Sequence, residues 1–588
     1  MRVADYIFKT LADKGVRHCF LVTGGGAMHL NDALRVEKRI KPVCCHHEQA
    51  CAIAAEGYYR ASGRLPVVSV TTGPGGANAL TGVIGAWLDS IPMIVISGQV
   101  KYSTTIASCP DIPLRQLGDQ EINIVDIVRP VVKYAKMVVN PNMVSYELEK
   151  AFHIATTGRP GPVWLDVPLN VQGSLIDAPM QVKVEDEQNR VWDNTKMDSF
   201  LSLVAASRRP VIIAGHGIEL DKVENEFVEL VAKLGLPVLS SFCGMNVIPS
   251  EHPLAFGRIG TIGQRAANFI LQNADLIISI GSRNNIRQIS YNWENFGKNA
   301  KKVVVDIDQA ELSKPTISPD LTICCSAAEF IRMWAIKDVD CLRPEWLAWC
   351  EMMRQKYPVH TQDQMTCEGG VNPYHLIALM SKECPADTVI AVGNGTVSIA
   401  AFQTWRRKKG QRIFCNSGCA SMGDDLPAAI GAAVSGCNTV CLAGDGSLMM
   451  NLQELVTVIY NKLPIKVFVF DNHGYTSIRQ TQENLFSSEF IGCDSSCGVG
   501  FPDFSKLCSA LGFPVRRIDE HDEIDIVLKK VFESWSPEVV LVNIPEKLGF
   551  SPKLSARRLP DGSMVSPSLE DMFPFLSREE METNVCRV

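Results

Sequence analysis

No apolar run in this chain reaches the length needed to cross a membrane, so no membrane span is expected. Long basic runs are missing too, and a net charge of −7 over 588 residues leaves no electrostatic footprint for nucleic acid or an anionic membrane surface. The N-terminus lacks the apolar core of a secretory signal. Between Met1 and Lys14, Val3, Ile7, Phe8 and Leu11 recur at helical spacing with Arg2, Asp5, Lys9 and Asp13 between them, which predicts an amphipathic helix. The 20 cysteines lack the paired spacing of a zinc site, since Cys493 and Cys497 form a lone C-x₃-C. Scattered among apolar stretches, they are expected to be reduced core thiols of a cytoplasmic protein. Short-period repeats are absent. The length suits a large enzyme of about three or four ordinary domains.

What is present concentrates in two short segments. Gly444-Asp445-Gly446 is followed, after an apolar stretch, by Asp471-Asn472. The run Thr439 to Ala443 reads as a buried parallel strand and Leu463 to Phe470 as a second, so both motifs sit at carboxyl ends of strands, where open α/β sheets bind ligands. A carboxylate from Asp445, an amide oxygen from Asn472 and the carbonyl of Gly474 half-fill an octahedral shell, and two diphosphate oxygens and a water complete it, as Mg²⁺ prefers. Alone, Gly-Asp-Gly also fits a plain left-handed turn. The second segment, His47-Glu48-Gln49, puts a lone carboxylate before the apolar Cys51, Ala52, Ile53 and Ala54.

Strand, glycine turn and helix alternate through three segments, predicting an α/β protein of three consecutive doubly wound parallel-sheet domains, at 1–175, 190–345 and 370–588. The first holds apolar strands at Cys19 to Val22, Val67 to Val70 and Met93 to Ser97. The second opens at Arg209 to Gly215 and closes with Leu276 to Gly281 and Lys302 to Ile307. Polar stretches at residues 177–196 and 356–370 read as separators. The first and third segments are candidates for paralogous sheets.

Many ordered motifs carry a resemblance. Gly25-Gly26-Ala27, His47-Glu48-Gln49-Ala50, Gly73-Pro74-Gly75 with Asn78, Asp89-Ser90-Ile91-Pro92 and Gly158-Arg159-Pro160-Gly161-Pro162-Val163 resemble the pyrimidine-binding domain of the thiamine diphosphate enzymes, in the group of the acetolactate synthases and pyruvate oxidases. Met422-Gly423 with Leu426-Pro427-Ala428-Ala429-Ile430-Gly431, Gly444-Asp445-Gly446-Ser447, Asn451-Leu452-Gln453-Glu454-Leu455 and Gly474-Tyr475 with Arg479-Gln480 resemble their diphosphate domain.

The resemblance implies a role for each matching residue. Glu48 would hydrogen-bond the pyrimidine N1′ and promote loss of the thiazolium C2 proton, with Gln120 as a second catalytic residue. Gly25, Gly26, Pro74 and Asn78 would contact the cofactor from the first domain. Asn394, Ala420, Met422, Gly446, Ser447 and Tyr475 would do so from the third, with Met422 wedged between the cofactor rings and the Ala420 carbonyl accepting from the 4′-amine. Asp445, Asn472 and Gly474 would hold Mg²⁺. The family works as a homo-oligomer, dimer or tetramer, in which Glu48 of one chain meets the metal site of another. The implied reaction decarboxylates pyruvate or a similar 2-oxo acid and passes the two-carbon acyl unit to a carbonyl acceptor. A decarboxylase or oxidase that uses no carbon acceptor is the alternative, and a non-catalytic paralogue is disfavoured by the intact Glu48, Asp445 and Asn472.

Departures from the family bear on the substrate. Asp119 stands before Gln120-Glu121 where acetolactate synthases carry phenylalanine, and Thr481 follows Arg479-Gln480 where they carry tryptophan. Losing two aromatics enlarges the acceptor pocket and makes it polar, which suits a hydroxylated acceptor such as a 4-keto sugar nucleotide. Ile478 belongs to the same pocket. Asp424-Asp425 replaces Phe-Gly, so Asp425 is a candidate for a substrate hydroxyl or for a helix N-cap. Gly395 stands where a histidine usually meets the diphosphate. In the central segment Gly281-Ser282-Arg283 and Asp306-Ile307-Asp308 fit the FAD pattern of the family, whereas Asn284-Asn285-Ile286 does not. The alternatives there are a bound FAD and an empty sheet serving as a spacer.

Overall fold

The computed structural model describes residues 1–176, 194–337, 341–486, 489–558 and 561–587. Three six-stranded sheets, all parallel, follow one another along the chain, with a small antiparallel ribbon near the C-terminus. Numbered in chain order within each sheet, the strands of the first and third are arranged 2-1-3-4-6-5 and those of the central sheet 3-2-1-4-5-6. The first and third sheets, the candidates for paralogous sheets, therefore share one topology. The central sheet has the order of a dinucleotide-binding fold.

The strands are nearly continuous apolar runs because helices cover both sheet faces. Val67–Val70, Met93–Gln99 and Leu276–Ile280 are buried at every position. The N-terminal helix is Val3–Asp13, and its four predicted core residues are buried. The central domain extends beyond its reading. A sixth strand, Leu321–Cys324, follows, and then a helix, Pro344–Lys356, which a boundary at 345 would divide; its Trp346, Trp349 and Met353 lie in the central core. Of the separator at 177–196, residues 177–193 lie outside the described residues.

The first and third domains meet through two small-residue helices, Glu48–Ser62 and Asp425–Val434. A Cβ on Gly57 would lie 2.1 Å from the carbonyl oxygen of Ala428, and one on Gly431 would lie 1.8 Å from that of Ala54. Beside this contact Arg60 is buried, donating to Glu56 at 2.8 Å and to Asp89 at 2.7 Å. Asp89 also accepts from the backbone of Ser417 and Gly418 and pairs with Arg283, so one buried carboxylate ties the three domains together. A buried arginine is tolerable only with such partners.

The last segment, read from sequence as part of the third domain, leaves it. After the strand Glu538–Asn543, Asn268 donates to the Leu569 carbonyl and Arg265 to that of Pro574, which binds the tail to the central domain. Among the described residues no helix is long and apolar enough to cross a membrane.

Candidate functional site

The third sheet supplies one half of a site. Its strands Thr388–Val392, Asn438–Gly444 and Ile465–Asp471 lie side by side and parallel, and deliver Asn394, Asp445 and Asn472 to one edge. The first two strands flank the point where strand order reverses, the usual ligand crevice of an open sheet. Asp445 is buried, accepting from the Gly446 N–H at 2.6 Å and the Gly474 N–H at 2.9 Å. Burial pushes its carboxyl up to about 7, against the pull of those donors. The Oδ1 of Asn472 is buried with no hydrogen-bond partner. A carboxylate held in the interior beside an orphaned amide oxygen fits a cation of the Mg²⁺ type, which takes oxygen ligands. Among the described residues no cluster of three His, Cys, Asp or Glu side chains is placed to hold a metal alone.

A cavity of about 600 Å³ opens over this edge. Asn394, Ala420, Met422, Gly446, Ser447 and Tyr475 line it, as do Asp445, Asn472, Gly474, Ile478 and Thr481. Two glycines are fixed by contact. A Cβ on Gly446 would fall 2.1 Å from the Tyr475 ring, and Gly474, at φ +154°, leaves no room against the Cys493 carbonyl. The Ser447 hydroxyl accepts from the Gly423 N–H, and Asn394 donates to the Ser421 carbonyl, so both brace the turn carrying Met422.

The first sheet supplies the other half at its own carboxyl edge. Gly25 and Gly26 follow strand His18–Leu21, Glu48 opens the helix after Lys41–Cys44, and Pro74 and Asn78 lie in the helix after Val67–Val70. Asn78 donates to the Glu48 carboxylate at 3.0 Å. Asp119 and Gln120 sit exposed on the loop beyond Met93–Gln99. The buried Glu121 holds that loop, accepting from the backbone of Ile106, Leu117 and Gly118. The Gln120 carbonyl packs against Gly73, where a Cβ would lie 2.1 Å away.

The two sets of candidates do not share a cavity wall. None of Gly25, Gly26, Glu48, Pro74, Asn78, Asp119 or Gln120 lines the cavity that holds Asp445 and Asn472. Non-glycine residues with positive φ recur at both edges, at Gln120 (61°), Ala420 (54°) and His473 (58°), a strain that folded proteins tend to keep where a backbone group must be aimed.

Asp425 is placed differently from its reading. The helix starts at Asp425, with Asp424 in the cap position, and the Asp425 carboxyl is buried behind Gly393, off the cavity wall. Its Oδ1 accepts from the Leu426 N–H, and burial pushes it up to about 6. Gly395, at φ +78°, does line the cavity. Sequence reasoning missed Arg287 from the central domain and Phe550 and Lys553 from the tail, which reach the cavity wall by tertiary return and carry no local signal.

A second cavity, of about 80 Å³, lies at the carboxyl edge of the central sheet, bordered by His216, Arg159, Arg283, Asn284 and Asp306. Its polar groups already serve one another. Gln288 donates to Asn284, Ser282 to Gln288, and Arg159 bridges Asp308 and Glu311. Gly281, Ser282, Arg283, Asp306 and Ile307, which carry the FAD pattern of the resemblance, all border this space.

Comparison with known proteins agrees with both edges. The sequence matches the thiamine pyrophosphate enzyme N-terminal TPP binding domain over residues 1–125, the central domain over 197–333 and the C-terminal TPP binding domain over 393–544. It is 31% identical over 566 residues to a probable acetolactate synthase large subunit of Methanococcus aeolicus, covering 91% of each chain. It is 30% identical over 562 residues to the chloroplastic acetolactate synthase 1 of Zea mays, covering 92% of this chain and 85% of that one.

Proposed function

This chain belongs to the thiamine diphosphate-dependent, acetolactate synthase-like enzymes, and from that premise we propose a carboligase that decarboxylates pyruvate or a similar 2-oxo acid and adds the two-carbon acyl unit to a larger, hydroxylated carbonyl acceptor. The observation that carries the reading is the orphaned Oδ1 of Asn472 beside buried Asp445 in a 600 Å³ cavity whose wall includes Thr481.

Asp445, Asn472 and the Gly474 carbonyl would hold Mg²⁺, and the cation would offset the repulsion between the carboxylate and the cofactor diphosphate. Thiamine diphosphate, when bound, supplies the electron sink for decarboxylation. Glu48, steadied by Asn78, would hold a proton at the pyrimidine edge. Met422 would set the cofactor's bent shape, and the strained backbone at Ala420 would present its carbonyl. Because these groups occupy two separate edges of one chain, a complete site calls for a second copy, and a homodimer is the smallest active unit in this reading. No step runs through a flavin.

For the acceptor, Thr481 leaves the cavity wall small and polar where an aromatic would fill it, and Asp119 adds a carboxylate at the facing edge. A 4-keto sugar nucleotide has the required size and hydroxyl content. The second reading is an ordinary acetolactate synthase, favoured by the names of the relatives. Mass spectrometry separates the two. Incubation with pyruvate and a nucleotide-linked 4-keto sugar is expected to give the sugar adduct in excess over acetolactate; efficient acetolactate formation without adduct would establish the second reading instead.

A further inference from the structure

The tail beyond the matched C-terminal domain returns a lysine to the cofactor cavity. The Gln480 side chain donates to the Leu548 carbonyl at 3.0 Å, and the Leu554 N–H donates to the Thr261 carbonyl at 2.7 Å, so residues 548–554 bridge the helix Thr476–Leu485 and the central domain. Lys553 is fixed between them by reciprocal backbone hydrogen bonds with Phe573, at 3.0 and 2.7 Å. Thr261 is also tied to Arg287, whose carbonyl accepts from its N–H at 2.9 Å and its hydroxyl at 3.0 Å. One backbone residue thus sets both Lys553 and Arg287 on the cavity wall that also carries Ile478 and Thr481.

Among the described residues neither cation pairs with a carboxylate; each is backed by a ring instead, Arg287 over Phe242 at 5.2 Å and Lys553 over Phe550 at 5.7 Å. Burial lowers the Lys553 ammonium from its usual range, and no acid raises it back. A partly desolvated ammonium that, among the described residues, has no carboxylate partner, with a guanidinium on the same cavity wall, is an arrangement that an oxyanion ligand would complete.

We propose that Lys553 is a specificity-determining residue that holds the anionic group of the acceptor. The proposal rests on the carboligase reading for the identity of that ligand. The shared chemistry is an oxyanion, from either the carboxylate of a second 2-oxo acid or the diphosphate of a sugar nucleotide. Two cations on one cavity wall match the charge of a diphosphate better than that of one carboxylate.

The test uses enzyme loaded with thiamine diphosphate and Mg²⁺, as wild type, Lys553→Gln and Lys553→Arg. With pyruvate as donor, Lys553→Gln is expected to raise the KM for the acceptor at least tenfold with kcat changed far less, and Lys553→Arg to restore most of the affinity. If the effect appears with the nucleotide-linked keto sugar, the anion is the diphosphate; if it appears with pyruvate as acceptor, it is the carboxylate. Calorimetry with UDP provides a measurement independent of turnover, and Lys553→Gln is expected to weaken UDP binding tenfold or more. Should wild type form no ligated product, the carboligase reading falls, while UDP binding still decides the role of the lysine. Equal KM values and equal UDP binding in wild type and Lys553→Gln would overturn the proposal. So would loss of thiamine diphosphate from Lys553→Gln, which would put the lysine on the cofactor.

Discussion

Glu48 and Asp445 are both carboxylates at sheet edges, yet their surroundings assign them different work. Among the described residues the Glu48 carboxylate accepts from the Asn78 side chain and forms no ion pair. Replacing it by glutamine keeps its shape and removes the acid. Glu48→Gln is therefore expected to retain cofactor and fold while slowing exchange of the thiazolium C2 proton by roughly two orders of magnitude or more, the usual scale of general acid–base contributions. Exchange at the wild-type rate, followed by NMR in deuterated buffer, would remove Glu48 from the mechanism. Asp445 is buried, fixed by two N–H donors and placed beside an orphaned amide oxygen. Asp445→Ala is expected to abolish retention of thiamine diphosphate, and EDTA to strip it from wild type, because in the proposed reading a cation held by Asp445 offsets the repulsion between carboxylate and diphosphate. Cofactor content unchanged by either treatment would show that no cation is held there.

Among the elements, the crossing of Glu48–Ser62 and Asp425–Val434 is the least tolerant. Alanine at Gly431 would improve helix propensity by about 1 kcal/mol. Its Cβ, however, would sit 1.8 Å from the Ala54 carbonyl oxygen, and backbone cannot swing aside as a side chain does. Overpacking of this kind costs about 1–3 kcal/mol, so the clash should win. Gly431→Ala is expected to lower the thermal midpoint by a few degrees, and an unchanged or raised midpoint in calorimetry would mean that the helices are farther apart. The strands at this scale were legible because parallel strands buried on both faces are apolar runs: Thr439 to Ala443 became Asn438–Gly444, and Leu463 to Phe470 became Ile465–Asp471. The positions of Asp445 and Asn472 were legible for the same reason, since each follows directly on a strand. The place of Asp425 was illegible because Asp424 and Asp425 are both buried at the helix start, and the packing of Asp425 against Gly393 is tertiary and leaves no local signal. Lys553 and Arg287 were illegible, because their position depends on the tail crossing back over the central domain.

For the whole molecule, two sheets of one topology each bring candidate residues to a carboxyl edge, and the central domain, of different topology, joins them through Arg60, Asp89 and Arg283. The candidates of the first edge do not line the cavity of the other, and in the proposed reading the site is complete only when the Glu48 edge of one copy meets the Asp445 edge of another. A chain carrying Glu48→Gln and a chain carrying Asp445→Ala should each be inactive alone. In a hybrid dimer one site combines both lesions and the other has neither. The direct measurement is carboligase activity after the two inactive chains are co-expressed in equal amounts and the hybrid is purified by differential tags. Random pairing makes half of the dimers hybrid, so the mixture is expected to regain about one quarter of wild-type activity, all of it in the hybrid fraction. A hybrid fraction that forms but stays inactive, or full activity in a monomer at assay concentration, would contradict the shared site.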